Sequence, residues 1–598
     1  MKVLHGSLAL TVALLYLVHV FQIADARFWN TGLGHWLDPY FINMLLEHWS
    51  VSLWHAADPS SPPMYFPAQK TLGYSHGLIL YVPFYAPLRL FLHPFQAHNW
   101  TVLLAVAAGM ICLYVLFRRL SLSVVEAVVV AALFLTSRNV INQSTGAWTQ
   151  RVSVFLIPAI LLMLLVSTRM PTGRSRILLA TLAGFLSTLM YVQDFYTAHL
   201  AALFVIPIAG AAAFVEGGVR RVREALWRFC TRQTAASSVA FIAGVLATAW
   251  TFWLLNYGGF RFTVLGIRLR SHDVWRPALT AVCAGGAFLW LNRRNFSVPR
   301  FAKPSSWCVA VALGGAAGTL VFLWIYTSAY LEHPAFPEGH LLEQLLVRDP
   351  STWHGPLDIV QGLKGYESLR PFALVLILAV LAWVPWIGAS RKARIYWMWC
   401  LAVSFVVLLI PLRFPEFSVW RVLIEPLPGF AAIRDPKRII FPYELAVAVV
   451  TALFLVSLSA KSIARGAITL FVACSIVTEP YLNRFHYGRS IAAYDRWVAT
   501  PISIDPSCGS FYIKGASDAY MARSDNMWGL YNIDSVFVAL NHGIPTLNGY
   551  SAWFPDGWRL FNPQEPDYDA EVQRWIDGHA LTRVCELDID ARTMTPRR

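Results

Sequence analysis

Apolar runs of membrane-spanning length, or somewhat shorter, recur along the first 480 residues of this 598-residue chain, and they dictate what it can fold into. Spans are expected near 7–24, 99–117, 123–136, 152–167, 177–192, 196–215, 238–256, 276–291, 307–326, 372–388, 396–411, 441–459 and 467–479, about thirteen in all. Only 14% of residues are charged, against about 25% in a soluble domain, so lipid is the expected solvent. The 24 Trp, 23 Tyr and 37 Phe suit two broad membrane–water interfaces. The net charge of +14 does not point to nucleic acid, because most Lys and Arg fall in short loops between apolar runs. Walker-type loops, a GxGxxG junction and zinc-type Cys/His spacings are all missing from the sequence.

Those basic loops orient the chain. With the N-terminus cytoplasmic, Arg118–Arg119, Arg169 to Arg176, Arg220 to Arg232, Arg293 to Lys303, Arg391 to Arg394, and Lys461 with Arg465 all fall inside. The odd number of spans then puts the C-terminus outside. Segment 77–95, "GLILYVPFYAPLRLFLHPF", is apolar but carries Pro83, Pro87, Pro94 and Arg89. A full span there would invert every downstream loop, so it reads as a re-entrant or interfacial hairpin. Lys2, the apolar core and "ADA" at 24–26 imitate a cleavable signal peptide, whose removal would leave the other spans unchanged. The retained first span is the expectation.

The polar chemistry gathers in the outer loops. In loop 25–76, Asp38–Pro39 has the residue types of an N-cap and first helical position. Phe41, Met44, Leu45, His48 and Trp49 follow at helical spacing, as in an amphipathic helix lying at the interface. The alternative is a carboxylate doing chemistry, since one oxygen can cap while the other faces a cavity. Asp194, in a short turn between two spans, is either a turn residue bonded to nearby amides or a functional acid beside hydrocarbon. Arg138, Arg151, Arg434, Lys437 and Arg438 stand outside against the charge trend, as headgroup anchors or as phosphate ligands. His35, His48, His55, His76 and His98 at most form an interface pocket with Asp38, and their spacing assigns no metal ligand.

Residues 481–598 read as a small extracytoplasmic α+β domain. "SFYIKG" and "DSVFVAL" suggest strands, and "WRLFNPQEPDYDAEVQRWIDGHAL" a loop leading into a short helix. Cys508 and Cys585 are the only two cysteines of this part, and an oxidising compartment favours their pairing.

"LDPYFINMLLEHW", "MYFPAQKTLGYSHGLILYVPFYAPL", "PGFAAIRDPKRIIFPYELA" and "IPTLNGYSAWFPDGWRL" together resemble blocks of bacterial polytopic proteins related to the GT-C superfamily of membrane glycosyltransferases. The resemblance implies a GT-C-like transmembrane domain over 1–480 and sugar transfer from a polyprenyl-phosphate donor. The acceptor would be an envelope glycan, lipid or protein at the outer face of a bacterial inner membrane. It implies Asp38 as the first-loop acid and general base, with Asp194 the nearest substitute for a second acid. Family members often carry paired acids where this chain has Asp-Pro, so no cofactor is expected and a divalent metal is possible but unsupported. The rival classes are a transporter or flippase for a lipid-linked saccharide, with ionisable residues at mid-span, and a non-catalytic envelope-assembly scaffold.

Overall fold

The computed structural model describes residues 20–34, 37–142, 149–171, 173–203, 275–291, 302–332, 370–381, 436–458, 462–477, 487–514 and 527–597, with the strand pairs at 260–271 and 413–418 and single positions near 11, 18, 236–247 and 433. It is mostly helical. Within these residues five helices are long and apolar enough to cross a membrane: Pro94–Arg119, Val152–Arg169, Arg174–Gln193, Ser306–Thr327 and Ile440–Ser457. Leu104, Ile111, Leu178, Leu182, Leu313 and Leu320 are exposed along them, as lipid contact requires, so the chain is a membrane protein. The expected spans 7–24, 196–215, 238–256 and 396–411 lie wholly or largely outside the described residues.

Loop 25–76 begins with a helical turn, Ala26–Asn30, and strand β1, Thr31–Leu33. Helix α1, Asp38–His55, follows, then α2, Val82–Arg89, and α3, Pro94–Arg119. The expected amphipathic surface helix is corrected here, because every residue from Pro39 to Ser50 in α1 is buried. The polar positions that made it look amphipathic have partners inside. Tyr85 donates to Glu47 at 2.7 Å and to Asn43 at 3.1 Å, and Arg89 reaches both Glu47 oxygens at 2.8 and 2.9 Å. Within segment 77–95, α2 has eight residues with Pro87 inside. It extends about 12 Å, too short to cross.

Helices α4, Val124–Leu135, α5, Arg138–Asn142, α6, Ile157–Arg169, and α7, Arg174–Gln193, continue the bundle. They are followed by α8, Trp275–Leu291, α9, Ala302–Glu332, α10, Arg370–Leu381, α11, Ile440–Ser457, and α12, Ile463–Val477. The expected span at 123–136 forms the twelve-residue α4, about 18 Å long. Helices α7 and α9 approach through small residues. A Cβ at Gly184 would fall 2.0 Å from the Val311 carbonyl oxygen, and one at Gly314 would fall 1.8 Å from that of Thr181. Such close backbone contact is how membrane helices associate without a hydrophobic driving force.

The bundle has two chemically distinct ends. At one, Arg169 donates to the Arg119 carbonyl. Arg465 grips Glu126 at 2.5 and 2.8 Å and reaches the Ser121 carbonyl at 3.4 Å. Three residues of the basic loops, Arg119, Arg169 and Arg465, therefore share one end. At the other end stand the Gln193–Asp194 corner, α5, and the first turn of α11.

Strand β1 pairs antiparallel with β6, Tyr487–Ser490, so loop 25–76 is tied to the C-terminal region. Strands β2 and β3 (Phe260–Val264, Ile267–Ser271) and β4 and β5 (Arg413–Phe414, Phe417–Ser418) form two isolated hairpins. A four-stranded mixed sheet of β7, Ser503–Ile504, β8, Ser510–Ile513, β9, Val584–Asp588, and β10, Thr593–Pro596, has the order β7-β10-β9-β8. "SFYIKG" contains strand β8, and the acidic segment ends in α14, Tyr568–Gly578. "DSVFVAL" is instead part of a helix, α13, Met527–His542. Its residues are buried from Leu530 to Ala539, and a helix packed on all sides needs no polar face to reveal its period.

Cys508 and Cys585 are bonded, with sulfurs 2.00 Å apart and a sequence separation of 77. Closing so long a loop stabilises by roughly 4 kcal/mol in the chain-entropy model. Reduction under native conditions is therefore expected to lower the unfolding midpoint of the C-terminal region, with little change in a Cys508→Ala/Cys585→Ala variant. Two thiols open to alkylation in denatured, unreduced protein would refute the bond.

Candidate active site

Asp38 is the first residue of α1, and the N-cap position is occupied by Leu37, with no side chain capping the helix. The expected capping role is therefore corrected: Pro39 leaves one fewer amide to satisfy, and the Asp38 carboxylate turns elsewhere. It accepts a hydrogen bond from Tyr550 at 3.3 Å, and Asp38 itself is half-buried.

Tyr550 comes from the C-terminal region, whose "IPTLNGYSAWFPDGWRL" block packs directly on the "MYFPAQK" block of the first loop. Tyr65 and Phe66 donate their amides to the carbonyls of Asn548 and Thr546 at 3.0 and 2.9 Å. The Tyr65 hydroxyl lies 2.9 Å from that of Ser551, and its ring meets Trp558 edge-on at 4.9 Å. Phe41 meets the Tyr550 ring at 5.2 Å. Two sequence blocks nearly 500 residues apart thus form one wall beside Asp38.

Asp194 occupies a second pocket. It is 1% exposed and ends α7 while capping the helical turn after it. It accepts from the Tyr196 amide at 3.2 Å and from the Thr197 hydroxyl. His76 Nδ1 lies 3.7 Å away, and the His76 ring meets Tyr196 edge-on at 5.5 Å. Arg438 also sits over Tyr196, its guanidinium 4.5 Å from the ring centre, a cation–π contact. Two expected site residues, Asp194 and Arg438, are therefore brought together through Tyr196, which sequence reasoning missed, and His76, expected at most in a pocket with Asp38, lies beside Asp194 instead.

Asp38 is held by Tyr550 and Asp194 by Tyr196 and Thr197, so the two carboxylates have different partners. The Thr149 hydroxyl meets His98 at 3.1 Å, and Tyr81 donates to the Thr149 carbonyl at 3.3 Å. Trp49, whose indole donates to the Gly77 carbonyl at 2.6 Å, lies three turns along α1 from Asp38, about 16 Å.

Arg138 is half-buried at the start of α5. Its neighbours Ser137 and Asn139 donate to Glu444 of α11 at 2.7 and 2.9 Å, and Glu444 is 1% exposed. This buried carboxylate ties α5 to α11, close in sequence to Arg438. Arg434 and His35 lie outside the described residues, as do the side chains of Arg151 and Lys437.

The remaining first-loop histidines do not gather at Asp38. His48 is buried and contacts the Pro59 carbonyl at 3.0 Å. Burial pushes it down to about 4, against the opposing pull of that hydrogen bond and of Asp58. Burial opposes ionisation of Asp58, but hydrogen bonds from Lys70, Ser60 and Ser61 outweigh it and hold this carboxyl well below the usual range. Among the described residues no three His, Cys, Asp or Glu side chains gather in a metal-binding group.

No family model matches the chain, and no curated protein does. Solved structures of the Archaeoglobus fulgidus oligosaccharyltransferase resemble it. One, AglB in complex with an inhibitory peptide and a dolichol-phosphate, is 13% identical with a TM-score of 0.47, covering 98% of this chain and 69% of that one. The apo form is 12% identical with a TM-score of 0.46, covering 97% and 69%. A form tethered to an acceptor peptide containing the NVT sequon is 12% identical with a TM-score of 0.45, covering 98% and 69%.

Proposed function

We propose that the protein is an integral-membrane glycosyltransferase of the GT-C kind. It moves a sugar from a polyprenyl-phosphate-linked donor to an envelope glycan, lipid or protein acceptor at the extracytoplasmic face of a bacterial inner membrane, with inversion. The observation that carries this reading is Asp38. It is a half-buried carboxylate outside the spanning helices, released from capping, and held by Tyr550 where two halves of the chain meet.

In the proposed reaction Asp38 takes the proton from an acceptor hydroxyl as its oxygen attacks the anomeric carbon. The bond from that carbon to the phosphate oxygen breaks, and polyprenyl phosphate departs carrying the bonding pair. Arg438, together with Arg138, Arg151, Arg434 and Lys437, offsets the charge of the departing phosphate. Asp194 serves here mainly by capping the turn that places Tyr196 beneath Arg438.

A flippase would need ionisable groups at mid-span. Glu126 instead lies in the first turn of α4, paired to Arg465, and Glu444 lies just past the first turn of α11, held by Ser137 and Asn139. That favours the transferase.

Changing Arg434, Lys437 and Arg438 together to Gln is expected to weaken binding of a polyprenyl-phosphate hexose to the protein in nanodiscs at least about tenfold, since each charge-assisted contact is worth about 1.5–3 kcal/mol. Thermal stability should change little by comparison. Unchanged donor affinity would return these residues to headgroup anchoring, and failure of the wild type to release sugar from any such donor would remove the transferase reading.

A further inference from the structure

A cleft of about 630 Å³ opens between the turn that follows α2 and the C-terminal region, away from Asp38 and Asp194. Its first wall carries Arg89, Phe91 and His93, and its second carries Asp495, Asn541 and His542. The proposed transfer reaction uses none of these side chains.

The charge of the lining narrows what it can hold. Arg89, the one cation among these six, is already engaged by both oxygens of Glu47. His93 Nε2 lies 3.4 Å from Asp495 Oδ1, while its Nδ1 accepts the Phe95 amide at the head of α3. Burial holds the His93 imidazole below its ordinary value, against the pull of Asp495, so the ring is mostly neutral at pH 7. The Asp495 side chain is 55% exposed, and its carboxylate therefore faces the space with no full countercharge. An anion such as a phosphate would meet that carboxylate and a cation already committed, and would be repelled. What the lining offers is a carboxylate acceptor, the His542 imidazole and an amide, each able to exchange hydrogen bonds with hydroxyls. Phe91, 84% exposed at the rim, adds an aromatic face able to cover the C–H face of a sugar ring.

We infer that this cleft binds a neutral, hydroxyl-rich ligand, a saccharide chain, at a site separate from the proposed reaction centre. Its position beside the C-terminal region suits the holding of an oligosaccharide while chemistry proceeds elsewhere. The binding claim does not depend on the transferase reading.

The test is binding rather than turnover. Full-length protein in nanodiscs would be applied to an array of neutral di- to hexasaccharides, and the strongest hit titrated by calorimetry. Saturable binding is expected. It should weaken at least about tenfold in Phe91→Ala and in Asn541→Ala, both exposed positions whose substitution leaves the melting temperature near wild type. Pyrophosphate at millimolar concentration should not compete, and Asp38→Asn should bind the saccharide as the wild type does. Absence of saturable binding across the array would overturn the inference. So would affinity unchanged in both cleft variants, or displacement by pyrophosphate. Saccharide binding without any transfer activity would leave this site standing and remove only the proposed reaction.

Discussion

Replacing Asp38 with Asn is expected to lower sugar transfer at least about a hundredfold, the usual cost of losing a general base, while expression and thermal stability stay near wild type. Asn has almost the volume of Asp and keeps an oxygen that can accept the Tyr550 hydrogen bond, but it cannot take a proton from an acceptor hydroxyl. Because no side chain caps α1, loss of a cap cannot be invoked for any fall in rate. Tyr550→Phe separates positioning from proton transfer: it removes the hydroxyl that orients the carboxylate yet leaves the base itself. Its expected effect is a smaller fall in kcat, with donor affinity unchanged. A purified Asp38→Asn protein transferring sugar near the wild-type rate would make Asp38 a structural residue. An equal loss in Tyr550→Phe would mean that the geometry of the wall matters more than the base.

The spanning helices were legible because hydrocarbon demands long apolar runs. The runs at 99–117, 152–167, 177–192, 307–326 and 441–459 correspond to the five helices of spanning length. The local pattern misled wherever burial came from distant chain. The Phe41–Trp49 spacing looked like a surface stripe, although Tyr85 and Arg89 cover its polar side. Likewise "DSVFVAL" looked like a strand because every side of α13 is packed. Pairings across several hundred residues leave no trace in local periodicity. Asp38 meets Tyr550, Glu444 meets Ser137 and Asn139, and Arg438 stacks on Tyr196, none of them predictable from spacing. A signal was present for one of these: the blocks holding Tyr65 and Tyr550 carried the family resemblance together, and they pack on each other.

Removing Asp534 should cost more stability than any other single change considered. Asp534 of α13 is fully buried, and Arg489 of β6 donates to it from a side chain that is 7% exposed. Tyr40 of α1 donates to the same oxygen at 2.5 Å, and the Arg489 guanidinium lies 5.3 Å from the Tyr40 ring centre. One carboxylate on α13 therefore satisfies groups from α1 and from β6, joining three elements. In Asp534→Ala the Arg489 charge and the Tyr40 hydroxyl remain in a site with little water, a situation that costs about 3–5 kcal/mol. Replacing both charges, as in Asp534→Leu/Arg489→Met, is expected to recover most of that loss, because an apolar pair of similar volume demands no solvation. The two single variants and the double variant form a cycle that isolates the coupling from the general damage of mutation. Denaturant unfolding would supply the free energies, and proteolysis of the folded state would report release of the C-terminal region. Release should also carry Tyr550 away from Asp38, so Asp534→Ala should lose transfer activity although it touches no proposed substrate position. A stability within about 0.5 kcal/mol of wild type, the range of neutral surface changes, would mean that this triad does not hold the two regions together. A double variant no more stable than Asp534→Ala would mean that the stranded charge is not the cause.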